Sequence, residues 1–434
     1  MKKCILILLD GLGDRSFAQF GNLTPLQAAY TPHLDRLAEI GCSGLFHAAV
    51  LGQALPSENA HFAMFGYDLS DFPGRGVLEA LGAGIALTEQ DVAVLARFVT
   101  LEEKDGILFL EKDQPPATAA EAEALAKFVS EYESGGIRIS FTRSQGLYGI
   151  LTLRGEVDRH VTDTAPFVDG RALAALKPWK GFEKDAKTQN TVRALHSYLL
   201  WLWDSLRDHP VNVSRRKEGK PCLNGMVTQR AGQRKKIVPF YEKWGFRGLS
   251  LASGIVYHGL AAFVGMESQK VRDTDDPGKD LAQRLDMASN LLNEYDFIHV
   301  HTKTPDEAAH TKNPESKKRV IESLDRGIGE AIAPLLENPD VLLIITADHS
   351  TPSTGPLVHS GEPVPMTFCG EGVRRDTVRH FDEISAAAGA LGCVRGPELM
   401  HLILNQTDRA KLRGIMDTPD DQPYWPGHYE AFRL

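Results

Sequence analysis

Two short apolar runs do most to restrict what this chain can fold into. CILILL at 4–9 and VLLIITA at 341–347 show no polar alternation, and an aspartate closes each of them, Asp10 and Asp348. A strand with one wet face alternates apolar and polar residues. A run without alternation belongs in a parallel sheet covered on both faces. In open sheets of that kind, ligands bind beyond the carboxyl ends of the strands. Both aspartates fall there.

Strand and helix signals alternate around these runs. TPLQAAYTPHLDRLAEIG reads as a loop and a helix, with Leu34, Leu37 and Ala38 on one face and Gly41 as a stop. Residues 43–50 read as another strand. GLSLASGIVYHGLAAF reads as strand then helix, FIHVHTKT as a strand, and RVIESLDRGIGEAIAPLL as a helix. The middle of the chain differs. ARFVTLEEKDGILFLEK reads as a hairpin with an Asp-Gly turn, ATAAEAEALAKFVSEY as an amphipathic helix, IRISFTRSQGLYGILTLRG as strands, and ALHSYLLWLWDSLRDHP as a helix stopped by Pro210. The expected fold class is therefore α/β, with helices on both faces of the sheet. The domain formed by 1–91 and 241–434 carries an inserted α+β domain at 92–240.

Length supports that division, since 434 residues exceed one ordinary core. The formal charge is −9, and the most basic stretch, 212–236, is confined to the insert, which argues against nucleic acid as the main partner. No apolar stretch is long enough to span a membrane. The opening MKKCILILLD lacks a small-residue cleavage site and reads as a first strand rather than a signal peptide. Five scattered cysteines without CxxC spacing point to reduced thiols and a cytoplasmic location.

The chemistry-bearing residues follow the strand ends. Asp348 and His349 are adjacent, so both can face one ion only where the strand is already turning. Asp306 and His310 in PDEAAH are four apart and share a face if Pro305 opens a helix. His359 sits in the Gly/Pro-rich loop HSGEPVP. Ser57 in LPSENAH has two readings: an N-cap with Glu58 in the first turn, or a hydroxyl nucleophile at the positive end of a helix. Asp and His donors with one hydroxyl suit a two-metal phosphoryl-transfer site. Mixed Asp/His ligation favours Mn2+ or Zn2+ over Mg2+. Arg75 between two glycines, and Arg215 and Arg230 in the basic stretch, are candidate contacts to an anion.

These blocks resemble the alkaline phosphatase superfamily and, more closely, the archaeal-type cofactor-independent phosphoglycerate mutases. The likeness runs through LILLDGLGDR, SENAHFAMFGYD, GRGVLEALGAG, HPVNVSRRKEGKPCLNG, HTKTPDEAAH and TADHSTP…HSGEPVP. It implies an alkaline-phosphatase-like sheet and two divalent ions. Asp306, His310 and His359 would hold one ion; Asp10, Ser57, Asp348 and His349 would hold the other. It implies a phosphoserine at Ser57, a small phosphorylated substrate, interconversion of 3-phosphoglycerate and 2-phosphoglycerate without bisphosphoglycerate, and an insert that closes over the site. The chain departs from the family in the substrate pocket. TDTAPFVDG keeps Asp163 but no Asp-Pro-His histidine, His258 stands where a lysine is usual, the DEAGHDG-like block is DEAAHTK, and the arginine-glycine block is QRAGQ. Asp163, His258 and Lys303 join the arginines as candidate substrate contacts. Two other functions stay open: a metal-dependent phosphohydrolase or phosphotransferase on another small phosphorylated or phosphonate metabolite, including a homoserine-kinase-like role, and a non-catalytic binding protein on the same fold.

Overall fold

The structure is a computed structural model that describes residues 2–434. The chain forms two compact units, Met1–Phe72 with Ile237–Leu434, and Pro73–Lys236.

The first unit is built on an eight-stranded sheet in the order 267–270, 248–252, 297–302, 3–9, 341–346, 364–369, 42–47, 392–395. The run Lys3–Leu9 lies at its centre, parallel to Phe297–Thr302 on one side and Val341–Thr346 on the other. Cys4 through Leu9 are fully buried, as the lack of alternation requires. Register decides where the chemistry emerges. Leu9 pairs with Thr302, and Leu8 pairs with Thr346, so three strands end level with one another. The strand Val364–Cys369 runs antiparallel to Val341–Thr346, and its start therefore lies at that same edge. His359, just before it, arrives there too.

Helices complete the layers. Pro32–Ile40 buries Leu34, Leu37 and Ala38 and ends at Gly41, as its periodicity indicates. Pro314–Ala331 buries Ile321, Leu324 and Ile328. The strand expected over 43–50 is shorter, Cys42–His47.

The second unit holds a six-stranded antiparallel sheet. Its hairpin Val92–Lys104 to Ile107–Lys112 turns at Asp105 and Gly106, with φ of 53° and 78°. Two successive positive φ values are what a two-residue primed turn needs. The helix Ala186–Leu206 packs Leu195, Tyr198 and Leu202 against sheet residues including Phe98, Ile139 and Leu151.

Three expectations are corrected here. The unit begins at Pro73 rather than 92, because the helix Arg75–Gly82 sets Val77 and Ala80 in one cluster with Ala93, Leu95 and Ile150. The alanine-rich helix stops at Phe128, and Glu131–Ser134 is already an edge strand. Pro210 does not stop a helix: the long helix ends at Leu206, and Pro210 opens the next one, Pro210–Lys217. A proline fits the first helical turn, where its missing N–H is not needed.

Candidate metal centre

The level strand ends gather the polar residues of the first unit. Asp10 follows Lys3–Leu9 directly. Val341–Thr346 stops two residues before Asp348, so the backbone is turning there and Asp348 and His349 reach the same region. Thr304–His310 is a helix with Pro305 in its first turn, and it sets Asp306 and His310 on one face. The ligand atoms of Asp306, His310 and His359 lie within 4.8 Å of one another, and so do those of Asp10, Asp348 and His349. Six of the seven residues read from the sequence thus form two groups.

In the first group, Asp306 Oδ2 is 3.2 Å from His310 Nε2, and Asp306 Oδ1 is 3.5 Å from His359 Nε2. His359 donates its Nδ1 proton to the Leu55 carbonyl at 2.7 Å. That bond fixes the ring with Nε2 facing Asp306. In the second group, His349 Nε2 is 3.2 Å from Asp348 Oδ2 and 3.5 Å from Asp10 Oδ1. The groups meet at the rings of His349 and His359, stacked 3.8 Å apart.

Ser57 belongs with the second group. It is the first residue of the helix Ser57–Met64, but Pro56 is the N-cap and no side chain caps that end. The capping reading of Ser57 is therefore set aside. Its buried hydroxyl donates to Asp10 Oδ1 at 3.4 Å and lies 3.0 Å from His349 Nε2.

Four further residues line this edge that sequence reasoning did not single out. Tyr257, in the first turn of Ile255–Val264, donates to Asp10 Oδ2 at 2.7 Å. His301 Nε2 donates to the same oxygen at 2.9 Å. His61 Nδ1 donates to the Ser57 carbonyl at 2.7 Å and stands 3.4 Å from Asp348 Oδ2. Thr351 contacts Asp306 and His349. His61 had a sequence signal, since it is four residues from Ser57 on one helix. His301 had a weaker one, as it pairs with Leu8 two residues before Asp10. Tyr257 and Thr351 had none.

Charge is arranged to keep Asp10 and Asp306 ionised. Burial works against the charged form of Asp10, yet the Lys303 ammonium and the His301 hydrogen bond hold it well below the usual carboxylate range. Asp306 is likewise held down against burial by His310, His359 and Lys303. Burial lowers the pKa of His349 and keeps the ring neutral, as a metal ligand must be. Asp306 Oδ2 and Asp348 Oδ2 are buried and accept no well-formed hydrogen bond among the described residues. They are met only at 3.2–3.4 Å, Asp306 Oδ2 by His310 Nε2 and Lys303 Nζ and Asp348 Oδ2 by His349 Nε2 and His61 Nδ1, and a cation between the carboxylates would offset the cost of burying them together. The donor set, mixed Asp and His with His359 locked through its distal nitrogen, fits divalent ions.

The remaining candidates are placed as follows. Lys303 Nζ lies 3.4 Å from Asp306 Oδ2 and 3.4 Å from the Tyr257 hydroxyl, beside both groups. His258 is buried one residue from Tyr257, and neither ring nitrogen has a hydrogen-bond partner among the described residues. In the second unit, Asp163 Oδ1 accepts the Arg230 backbone N–H at 2.6 Å, and Arg230 sits at a positive φ of 53°. Arg75 Nε donates to Glu79 at 2.7 Å. Arg215 is held inside the second unit. It is 1% exposed, and its nitrogens donate to the Pro221 and Pro116 carbonyls and to Glu121 at 2.7–2.9 Å. All three nitrogens are engaged inside the unit.

Comparison with known proteins gives the family. A model of the metalloenzyme superfamily matches residues 2–406. The 2,3-bisphosphoglycerate-independent phosphoglycerate mutase 2 of Methanocaldococcus jannaschii is 43% identical over 422 residues, covering 95% of each chain. The 2,3-bisphosphoglycerate-independent phosphoglycerate mutase of Pyrococcus abyssi is 34% identical, covering 95% of this chain and 99% of its own. Among solved structures, a protein from Pyrococcus horikoshii superposes with a TM-score of 0.78 at 30% identity, covering 95% of this chain and 99% of that one. The cofactor-independent phosphoglycerate mutase of Thermoplasma acidophilum superposes with a TM-score of 0.66 at 29% identity, covering 94% and 100%. The chain belongs to the metalloenzyme superfamily and, within it, to the 2,3-bisphosphoglycerate-independent phosphoglycerate mutases.

Proposed function

We propose that this protein interconverts 3-phosphoglycerate and 2-phosphoglycerate through a phosphoserine at Ser57. The observation that carries this is the Ser57 hydroxyl itself. It caps nothing, is buried, and lies 3.4 Å from Asp10 Oδ1 and 3.0 Å from His349 Nε2. Asp306, His310 and His359 would hold one divalent ion; Asp10, Asp348, His349 and Ser57 would hold the other, with Mn2+ or Zn2+ favoured by the Asp/His donors. When bound, the ions supply the positive charge that eases loss of the serine proton and offsets charge on the transferring phosphoryl group.

The chain's own groups do the rest. Ser57 Oγ attacks the phosphorus; the bond from phosphorus to the C3 oxygen breaks, and that oxygen leaves with a proton. The glycerate turns, its C2 hydroxyl attacks the phosphoserine, and Ser57 is restored. The positive end of Ser57–Met64 favours the negative charge that develops there. The Lys303 ammonium is a point charge suited to the substrate's phosphate or carboxylate. Arg75, Asp163, Arg230 and His258 are the further proposed substrate contacts. The free thiols of the five cysteines suit a reducing cytoplasm.

A second reading, phosphoryl transfer to water or to another small acceptor, is favoured by one feature. His258 stands where a lysine is usual, and burial lowers its pKa, which leaves it neutral rather than cationic. An enolase-coupled assay with 3-phosphoglycerate and Mn2+, run beside phosphate release from the same substrate, separates the two. Coupled turnover well above phosphate release supports the mutase. Phosphate release alone supports the second reading and overturns the first.

A further inference from the structure

Thr351 is fully buried, and its side chain touches both ligand groups. Its hydroxyl donates to Asp306 Oδ1 at 2.7 Å and lies 3.1 Å from His349 Nδ1. A hydroxyl has one proton, and an ionised carboxylate can only accept. The proton therefore goes to Asp306, and the hydroxyl oxygen must receive the Nδ1–H of His349. A neutral imidazole protonated on Nδ1 has its lone pair on Nε2. That nitrogen faces Ser57 Oγ at 3.0 Å, Asp348 Oδ2 at 3.2 Å and Asp10 Oδ1 at 3.5 Å.

The rest of the structure holds Thr351 in place. Its backbone N–H donates to the Gly13 carbonyl at 2.9 Å. The fully buried Lys317 donates to the Thr351 carbonyl at 2.8 Å, to the Gly13 carbonyl at 2.8 Å and to Asp14 Oδ2 at 3.2 Å. Gly11 gives way to it. A Cβ at Gly11 would come within 2.6 Å of Thr351 Oγ1 and 2.7 Å of Asp306 Cβ, and its φ of +65° already favours glycine.

We propose that Thr351 is a positioning residue that couples the two ligand groups, orienting the Asp306 carboxylate and holding the His349 proton on Nδ1 so that Nε2 is free to bind an ion. This rests on the two-ion reading above. The one hydroxyl serves both groups, so its loss weakens both ions together.

The test compares the full-length wild type with Thr351→Val and Thr351→Ser. Free Mn2+ is followed by electron paramagnetic resonance during titration, and the His349 tautomer is read from ring 15N shifts in the chelator-treated protein. Orienting partners of ligands typically contribute 10–100-fold to metal affinity. Thr351→Val should lose affinity by about that factor for both ions and lose the Nδ1–H tautomer; Thr351→Ser should restore both. Wild-type affinity and tautomer in Thr351→Val would overturn the proposal. So would equal loss in both variants alongside a fallen thermal midpoint, because that marks packing alone. If the wild type takes up no Mn2+, the two-ion reading falls with it. If it takes up two ions and Thr351→Val is unaffected, that reading stands and only the Thr351 role fails.

Discussion

Ser57 Oγ and His349 Nε2 lie 3.0 Å apart although 292 residues separate them in the chain. Neither local segment can form this contact. It depends on Cys42–His47, the strand before Ser57, and Val341–Thr346, the strand before His349, joining one sheet through Val364–Cys369. The nucleophile and its surroundings are thus a product of the assembled sheet. The contact makes the first prediction clear. Ser57→Ala should abolish mutase turnover by a factor on the order of 1,000 or more, because no other hydroxyl is held there. Stability should change by no more than about 1 kcal/mol, since Ser57 performs no capping. Initial rates and urea unfolding curves check both halves. A variant with a tenth of wild-type activity would remove Ser57 from the mechanism.

Tyr257 should matter through Asp10. Its hydroxyl and His301 Nε2 occupy Asp10 Oδ2, which leaves Oδ1 toward Ser57 and His349. Tyr257→Phe keeps the ring and removes one of the two donors. Mn2+ affinity should fall by about 10–100-fold, with kcat falling and KM for 3-phosphoglycerate little changed. A rise in KM with kcat intact would place Tyr257 against substrate instead.

Metal removal should be visible in stability as well as activity. The buried oxygens Asp306 Oδ2 and Asp348 Oδ2 accept no well-formed hydrogen bond among the described residues, and a bound cation would give each a close partner. Ligand binding to the native state stabilises it by about 2.7 kcal/mol at a hundredfold excess over Kd. Chelator-treated protein should therefore melt lower, and its midpoint should climb with added Mn2+. Asp306→Asn should blunt that climb. A midpoint indifferent to Mn2+ would count against an ion at these oxygens.

How much of this was legible beforehand depends on the residue. The strand-end aspartates were readable, since an unbroken apolar run followed by Asp signals both burial and a carboxyl edge. The helical pair Asp306 and His310 was readable from spacing and Pro305. Ser57 was ambiguous, because a first-turn serine and an N-cap serine look alike until Pro56 is seen to take the cap. Tyr257 and Thr351 were invisible. Their partners lie 247 and 45 residues away, and only register brings them together. The setting of Arg215 was hidden for a related reason: a basic stretch reads as surface, while this guanidinium is buried and donates to two carbonyls and Glu121 inside its own unit. The boundary moved from 92 to 73 because helix periodicity shows that Arg75–Gly82 has an apolar face but not which core receives it.

Asp296 offers a pH test away from the metal centre. Its carboxylate receives Lys3 at 2.8 Å, Arg247 Nε at 3.3 Å and Arg409 at 3.3 Å. Burial raises its pKa, but these donors and cations outweigh that and lower it to about 2. The folded pKa lies below the unfolded one. The stabilisation is therefore complete above about pH 4 and is lost as pH falls toward about 2; it amounts to roughly 2 kcal/mol. Thermal midpoints of wild type should drop between pH 4 and pH 2 more steeply than those of Asp296→Asn. Parallel curves would show that Asp296 is not linked to acid unfolding.

The central claim is a phosphoserine at Ser57 on the path between two phosphoglycerates. The most direct measurement mixes the Mn2+-loaded protein with 3-phosphoglycerate, quenches in acid within one turnover, and maps phosphate on the digested chain by mass spectrometry. The account predicts phosphate on the peptide containing Ser57, absent in Ser57→Ala, together with 2-phosphoglycerate formed at a matching rate. Formation of 2-phosphoglycerate with no phosphate on Ser57, or in Ser57→Ala at the wild-type rate, would contradict it.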